Sequence, residues 1–436
     1  MRHNDTEKYQ ILPSSSRYAL LLLLSVNLLN YIDRQVLYAV FPLVKEDFHL
    51  SDTALGFLGS AFMICYMVSA PFLGWLGDRM SRVKLAAGGL AVWSCATGGA
   101  FFVTAYPALF IARTTVGIGE ASFGTVSPGL LTDYYPQETR GRVLSYFFLA
   151  IPVGSALGYL LGGVLGQAFG WHAAFLLAGV PGLLLTIPLW LLREPVRGGS
   201  EEASRNPAAG SGNSYRSLIS NRSFVMNTLA MAAMTFALGG LAQWVPTFLY
   251  REYGLDIAKA NTIFGGITVL AGISGTLAGG WLGDLFQKKH NKGYLMVSGW
   301  GFLLGAPVTA LALFTNSLFG CSAAMFFAEF FLFLNTGPLN TVIVNVTRPG
   351  IRAMAFAVNI FFIHALGDAV SPSVLGSISD LHGLKAALMV TPGVILLAAV
   401  FCFVCTRFIE KDSANVNQQP ANAPSLPGKG KEREVK

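Results

Sequence analysis

The tetrapeptide Trp75-Leu76-Gly77-Asp78 recurs as Trp281-Leu282-Gly283-Asp284, 206 residues further on, and each copy closes an apolar stretch and opens onto basic residues. The first copy reads G-W-L-G-D-R-M-S-R-V-K from Gly74 to Lys84, the second G-W-L-G-D-L-F-Q-K-K from Gly280 to Lys289. A loop that appears once in each half of an apolar chain points to a parallel internal repeat, in which two helical bundles face one another across a path. The spacing fits six membrane spans per half plus a connecting segment.

Composition supports a bilayer as the solvent. Of 436 residues 53% are hydrophobic and 12% charged, and the mean hydropathy is +0.54, whereas a soluble domain carries roughly a quarter of charged residues. A span needs about 20 apolar residues, and twelve stretches qualify, approximately 17–41, 54–77, 84–106, 108–133, 141–167, 172–193, 222–249, 260–283, 294–316, 318–346, 353–378 and 384–409. The fold class expected is therefore an all-α membrane protein with twelve transmembrane helices in two six-helix bundles. Its first bundle occupies 1–193, a cytoplasmic linker 194–221, the second bundle 222–409, and a disordered cytoplasmic tail 410–436.

The linker is marked by Gly, Ser, Pro and Asn clusters. The tail is too poor in apolar side chains to fold alone. Lysines and arginines concentrate on one set of connections, among them Arg79, Arg82, Lys84, Arg140, Arg142, Lys288 and Lys289, so that set is expected in the cytoplasm together with both termini. The net charge of +7 is then a topology signal, and no nucleic-acid partner is expected. The apolar run after Arg17 passes through Asn27 and Asn30 into Asp33-Arg34 without a cleavage site, and reads as a retained first helix. All five cysteines fall inside spans, with no disulfide framework implied.

Away from their ends, the spans hold four acidic residues and two arginines, and at such depth ionisable groups are costly and by default functional. In the first span, Asn27, Tyr31, Arg34 and Tyr38 form one stripe, while Asp33 shares a second face with Asn30. In the fourth, Arg113, Gly117, Glu120 and Gly124 recur on one face. A lone charge at membrane depth costs about 3 kcal/mol or more, so cross-helix partners are expected: Arg34 with Glu120, and Asp33 with Arg113. The second half adds Glu329, Asn335, Gly337-Pro338 and Asn340 in the tenth span, then His364 and Asp368, four apart on one face of the eleventh. A proline inside a span is tolerated where the broken backbone lines a cavity. Neutral His364 held by Asp368 and a proton relay are equally open readings of that pair. Asp78, Arg79, Arg82 and Asp284 stand at span ends, where carboxylates can bind cations and a facing helix N-terminus; they are expected to gate the cytoplasmic face. The glycines of the fifth span, Gly154, Gly158, Gly162, Gly163 and Gly166, permit close helix crossing.

Four stretches resemble the major facilitator superfamily and, within it, the Spinster family of lysolipid and sphingolipid transporters. They are N-Y-I-D-R at Asn30 to Arg34, R-T-T-V-G-I-G-E-A at Arg113 to Ala121, D-Y-Y-P-Q-E-T-R-G-R at Asp133 to Arg142, and H-A-L-G-D-A-V-S-P at His364 to Pro372. The first is also similar to organic-anion and hexuronate symporters; the last is the most discriminating. Ser81 departs from the pattern, standing where the superfamily loop usually has glycine. The resemblance implies a proton-coupled secondary transporter moving an amphipathic lipid, a lysophospholipid or sphingosine-1-phosphate-like, by alternating access. It implies Asp33 and Glu120 as the proton-titrating groups and Arg34 as the headgroup or coupling residue. The wider candidate set for substrate or coupling is Arg34, Arg113, Tyr31, Glu329, Asn340, His364 and Asp368.

No metal and no cofactor is expected, the proton being the coupling ion. The expected partners are the lipid substrate and membrane lipids, and the expected state is a monomer. Short tails give the chain a bacterial look, so a bacterial inner membrane is the expected location. A proton-coupled carrier of organic anions, hexuronates or drugs is the alternative within the superfamily. It needs basic groups from both halves, whereas the spans of the second half hold no arginine away from their ends but carry Met325-Phe326-Phe327 and Phe330-Phe331. A membrane enzyme is disfavoured, because Ser371 and His364 have no accompanying oxyanion-hole motif. The chain has no phosphate-cradling loop either, so ATP is not the expected driver.

Overall fold

The computed structural model describes residues 13–135, 137–195, 213–348 and 351–417, and among them the regular structure is helical throughout. The helices are α1 (Pro13–Ala39), α2 (Phe41–Phe48), α3 (Asp52–Arg79), α4 (Arg82–Gly99), α5 (Tyr106–Tyr134), α6 (Gln137–Phe148), α7 (Ala150–Trp190), α8 (Asn213–Ser220) and α9 (Arg222–Tyr253). They continue with α10 (Ile257–Gln287), α11 (Gly293–Phe314), α12 (Leu318–Phe333), α13 (Thr336–Val346), α14 (Arg352–Ile363), α15 (Ser371–His382), α16 (Leu384–Leu388), α17 (Val390–Cys405) and α18 (Ile409–Asn417).

Local chemistry sets many of the starts. Ser51 accepts from the Ala54 amide, Asn221 from Phe224 and Asp256 from Lys259, each satisfying a donor that the first helical turn leaves unpaired. Among the described residues ten stretches are long and apolar enough to cross a membrane. The expected spans 141–167 and 172–193 fall within one of them, Arg142–Trp190, interrupted at Gly170, whose φ of 82° only glycine adopts freely. The expected span 108–133 corresponds to α5, which is 29 residues long but is made less apolar by Arg113, Glu120 and a run of Gly, Ser and Thr.

Most of the expected linker and tail lies outside the described residues. Of their described margins, 194–195 has no regular structure, while 213–220 and 409–417 are helical. α18 contradicts the disorder expected from residue 410 on. It does not fold alone: Ile409 is buried, and Asp412 accepts from the backbone and hydroxyl of Ser223 (3.0 and 2.7 Å), capping the start of α9.

Within the first 195 residues α1 packs on α7, α3 on α5, and α4 on both α5 and α7. Within 222–405, α9 and α11 pack on α17, and α12 on α10 and α11. Two seams join these sets, α7 with α10 and α3 with α15. Both rely on glycine. A Cβ at Gly56 would strike the Pro372 carbonyl, one at Gly376 the Asp52 carbonyl, and one at Gly163 the Asn261 side chain at 2.7 Å. Further hydrogen bonds join the two sets of helices. Asn261 donates to the Ala39 carbonyl, the Ala258 amide to Gln167, and Tyr159 to the Ala242 carbonyl at 2.6 Å.

Candidate functional site

Helical spacing on α1 sends its two neighbouring charges in different directions, as the roughly 100° between successive residues requires. Arg34 turns to the interior, where its Nε donates to Glu120 Oε2 at 2.7 Å; Glu120 is fully buried and Arg34 16% exposed. Asp33 turns to α4 and α5. Thr97 donates to its Oδ2 at 2.5 Å, and Arg113 Nη1 stands 3.7 Å from Oδ1. The two pairs expected from the sequence both form, but differently. Arg34–Glu120 is a short charge-assisted bond. Arg113–Asp33 is too long to be a hydrogen bond, and none of the three Arg113 guanidinium nitrogens has a hydrogen-bond partner among the described residues, although Arg113 is only 1% exposed.

One aromatic ring serves both cations. Phe62 of α3 has its centroid 5.2 Å from Arg34 Cζ and 5.0 Å from Arg113 Cζ. Tyr31 and Tyr66 lie 5.0 Å from Arg34 Cζ as well. Ring faces stabilise desolvated guanidinium by about 0.5–2 kcal/mol each, which offsets part of the burial cost. α3 comes this close because α5 presents glycine there: a Cβ at Gly117 would strike the Phe62 carbonyl, and one at Gly124 the Tyr66 hydroxyl.

Beside Arg34 lies a cavity of about 270 Å³ lined from both halves of the chain. Tyr31, Arg34, Gln35 and Tyr38 come from α1, Phe62 and Met63 from α3, Gln243 from α9, Thr268 from α10, Glu329 and Phe333 from α12, and Asp368 from the turn after α14. Its wall is mixed, with Arg34, Glu329 and Asp368 set among apolar side chains such as Ile151, Leu238 and Phe333. Glu329 is 3% exposed. Its Oε1 accepts from Thr268 at 3.3 Å, and Oε2 has no hydrogen-bond partner among the described residues.

Of the candidate residues, then, Tyr31, Arg34, Glu329 and Asp368 share the cavity, with Glu120 bonded to Arg34 behind it. Asp33 and Arg113 form a separate buried pair. His364 Nδ1 lies 2.8 Å from Asp368 Oδ1, in a widened helical turn His364–Asp368 that breaks the helical dihedrals at Gly367. Asn340 is not among the cavity-lining residues; it donates to the Thr336 carbonyl of its own helix at 2.7 Å. The backbone break announced by Gly337-Pro338 sits at Leu334-Asn335, between α12 and α13, where Asn335 Nδ2 takes the Phe331 carbonyl at 2.6 Å.

The residues expected to gate lie at the opposite end from Asp52. Asp78 is exposed. Arg79 folds back over the Trp75 ring, 4.0 Å from its centroid. Arg82 Nη2 donates to Asp133 at 2.6 Å, and its backbone amide and Nε donate to Glu194 at 3.1 and 3.4 Å. Asp284 accepts from Tyr294 at 2.7 Å. Although burial opposes ionisation, hydrogen bonds from Ser81 and Arg82 hold the Glu194 carboxyl below the usual carboxylate range.

An ionic clasp between the two sets of helices stands at the other end, around a residue not singled out in the sequence. Asp52, 2% exposed, accepts from Arg251 Nη1 and Nη2 at 2.7 Å, from Lys45 at 2.5 Å and from the Ser379 hydroxyl at 2.5 Å. Asp380 in turn accepts from the Asp52 and Thr53 amides at 2.7 and 2.8 Å. Gln35, Gln243, Phe62, Thr97 and Thr268 were likewise not candidates; as uncharged residues in spans they carry no sequence signal of their own.

A family model described as Major Facilitator Superfamily matches residues 23–372. The chain is 34% identical over 426 residues to Protein spinster homolog 1 of Xenopus tropicalis, a match covering 90% of this chain and 81% of that protein. It is 33% identical over 426 residues to the sphingosine-1-phosphate transporter SPNS2 of Mus musculus, covering 90% and 77%. Protein spinster of Drosophila melanogaster is 34% identical over 376 residues, covering 84% of this chain and 62% of the fly protein, so the chain spans less than two thirds of that relative. Among solved structures, a bacterial homolog of the human lysosomal transporter Spinster, in an inward-facing and unoccupied conformation, superposes with a TM-score of 0.85 at 24% identity, over 92% of this chain and 98% of that one. At that identity the likeness speaks to the fold.

Proposed function

Because this chain belongs to the major facilitator superfamily and, within it, to the Spinster-like transporters, we propose that it is a proton-coupled carrier of an amphipathic phospholipid, a lysophospholipid or sphingosine-1-phosphate-like molecule, working by alternating access. Dividing Arg142–Trp190 at Gly170 and admitting α5 brings the ten apolar stretches to twelve crossings, in two six-helix bundles that meet at the α7–α10 and α3–α15 seams. The excess of lysine and arginine at the Asp78 end supports placing that end in the cytoplasm. With the clasp at Asp52 shut, the state described is closed on the opposite side.

The observation that carries this reading is the Arg34–Glu120 bond at the edge of a cavity with apolar walls. An arriving phosphate competes with Glu120 for Arg34 through the same charge-assisted hydrogen bonds. Glu120, released from its cation while fully buried, then takes up a proton, since a buried carboxyl without a partner favours its neutral form. Asp33 and Arg113 form a second exchangeable pair, and the bare Arg113 nitrogens mark it as the looser of the two. Methylene groups of the tail add about 0.8 kcal/mol each on burial along the apolar side of the cavity. Glu329 is suited to a cationic headgroup group, which would favour zwitterionic lipids.

Uptake into proteoliposomes under an imposed pH gradient tests this. Lysophospholipid is expected to accumulate with the gradient and hexuronate not, and Asp33→Asn or Glu120→Gln is expected to abolish the gradient dependence in a folded protein. Accumulation of hexuronate instead would establish the organic-anion alternative, and unchanged gradient dependence in both variants would remove the coupling role.

A further inference from the structure

Gln243 on α9 is 1% exposed, yet neither its Oε1 nor its Nε2 has a hydrogen-bond partner among the described residues. Buried amides left this way are rare in folded proteins. The amide is also accommodated on purpose: it fills a notch at Gly59 of α3, where any Cβ would stand 2.5 Å from Oε1 and 2.8 Å from Nε2. Both Gln243 and Gln35 line the cavity beside Arg34. Gln35 is half used, its Nε2 donating to Ser155 at 3.3 Å while Oε1 has no hydrogen-bond partner among the described residues.

The two amides therefore offer a donor and acceptors to the cavity that Arg34 also lines. A phosphate is an acceptor only, and Arg34 already answers it. An alkyl tail needs neither group. A hydroxyl both donates and accepts, which is what a primary amide can satisfy from two sides. We propose that Gln243, together with Gln35, reads a free hydroxyl on the lipid backbone close to the phosphate. The cavity would thereby select lysolipids and long-chain bases that keep this hydroxyl over lipids in which it is absent or acylated. This rests on the reading of the cavity as a site for a phosphate-bearing amphipath, and it adds a specificity-determining residue to it.

A site built to pair a hydroxyl rejects an analogue lacking it, because the amide is then left unpaired. The test is equilibrium binding to the purified full-length protein of 1-oleoyl lysophosphatidate and of its 2-deoxy counterpart, oleoyl propanediol phosphate. The hydroxyl lipid is expected to bind about ten-fold tighter or more. Gln243→Leu is expected to bind both lipids alike, near the affinity of the wild-type protein for the deoxy lipid. Should that variant not fold, the wild-type comparison decides alone. Equal wild-type affinity for the two lipids, or a preference kept in Gln243→Leu, overturns the inference and leaves the lipid reading standing. If hexuronate binds and neither lipid does, the lipid reading fails and the inference with it.

Discussion

Arg34 does two things at once: it donates along its edge to Glu120 and lays its plane against Tyr31, Phe62 and Tyr66. A lysine keeps the charge but has neither the fork nor the flat face. Arg34→Lys is therefore expected to lose about ten-fold in lipid affinity, roughly 1.4 kcal/mol, with the protein still folded, as binding to purified variant and wild type would show. Glu194 gives a prediction outside the spans. Its carboxyl is held below the ordinary value by Ser81 and Arg82, so its contribution to stability is full above the unfolded glutamate pKa of about 4.3 and is lost as pH falls through the lower folded value. Glu194→Gln should cost about 1 kcal/mol at neutral pH, and thermal unfolding of the two proteins should converge as the solution is acidified below pH 4. A constant difference across pH would deny the charge its part. At this scale the sequence was informative wherever a residue is expensive in a membrane. Asp33, Arg34, Arg113 and Glu120 announce themselves, and helical spacing even assigns their partners. Thr97, Thr268, Gln35 and Gln243 do not, because an uncharged polar residue in a span can bond to its own helix, and only the fold reveals which ones do not.

Helices α3 and α5 approach so closely at Gly117 that the Phe62 backbone occupies the place of a side chain. Gly117→Ala is expected to push them apart, destabilising the protein by about 1–3 kcal/mol and drawing the Phe62 ring away from both guanidiniums; reduced thermal stability together with weakened lipid binding would register it. A fall in stability alone would make Gly117 a packing residue only. The break in the tenth span shows how far local chemistry reaches. Pro338 lacks the amide that would take the Leu334 carbonyl, so the interruption falls one turn before the proline, where Asn335 supplies a side-chain donor. The residue responsible was legible and the place of the break was not. α18 escaped for another reason. Its nine residues are mostly polar, and what orders them is the burial of Ile409 and a cap given to α9 across 189 positions of sequence, contacts without local periodicity.

The whole molecule is held shut at the Asp52 end by a buried carboxylate shared among Arg251, Lys45 and Ser379. None of this is visible in sequence, since Asp52 reads as an ordinary first-turn residue and two of its three partners, Arg251 and Ser379, come from distant segments. Hydrogen bonds to a charged group contribute roughly 1.5–3 kcal/mol each. Asp52→Asn is therefore expected to move the population about ten- to hundred-fold toward opening at that end, whereas Asp78→Asn should favour opening at the opposite one. Distances between spin labels on α3 and α15 near Asp52, and on α5 and α13 near the other end, would separate the two shifts; two unshifted distributions would exclude both. The position of the clasp has a further consequence. Lys45 and Arg251 are 35% and 26% exposed in their side chains, so water and ions reach the clasp from one compartment, while the Arg34–Glu120 bond lies deep between both. Salt on the Asp52 side weakens one stroke of the cycle's resistance and leaves the return stroke untouched. Such a carrier is expected to respond unequally to salt on its two faces. With salt raised on one face of a vesicle at a time, transport should change more for one face than for the other, and the more sensitive face would be the one on which Asp52 stands.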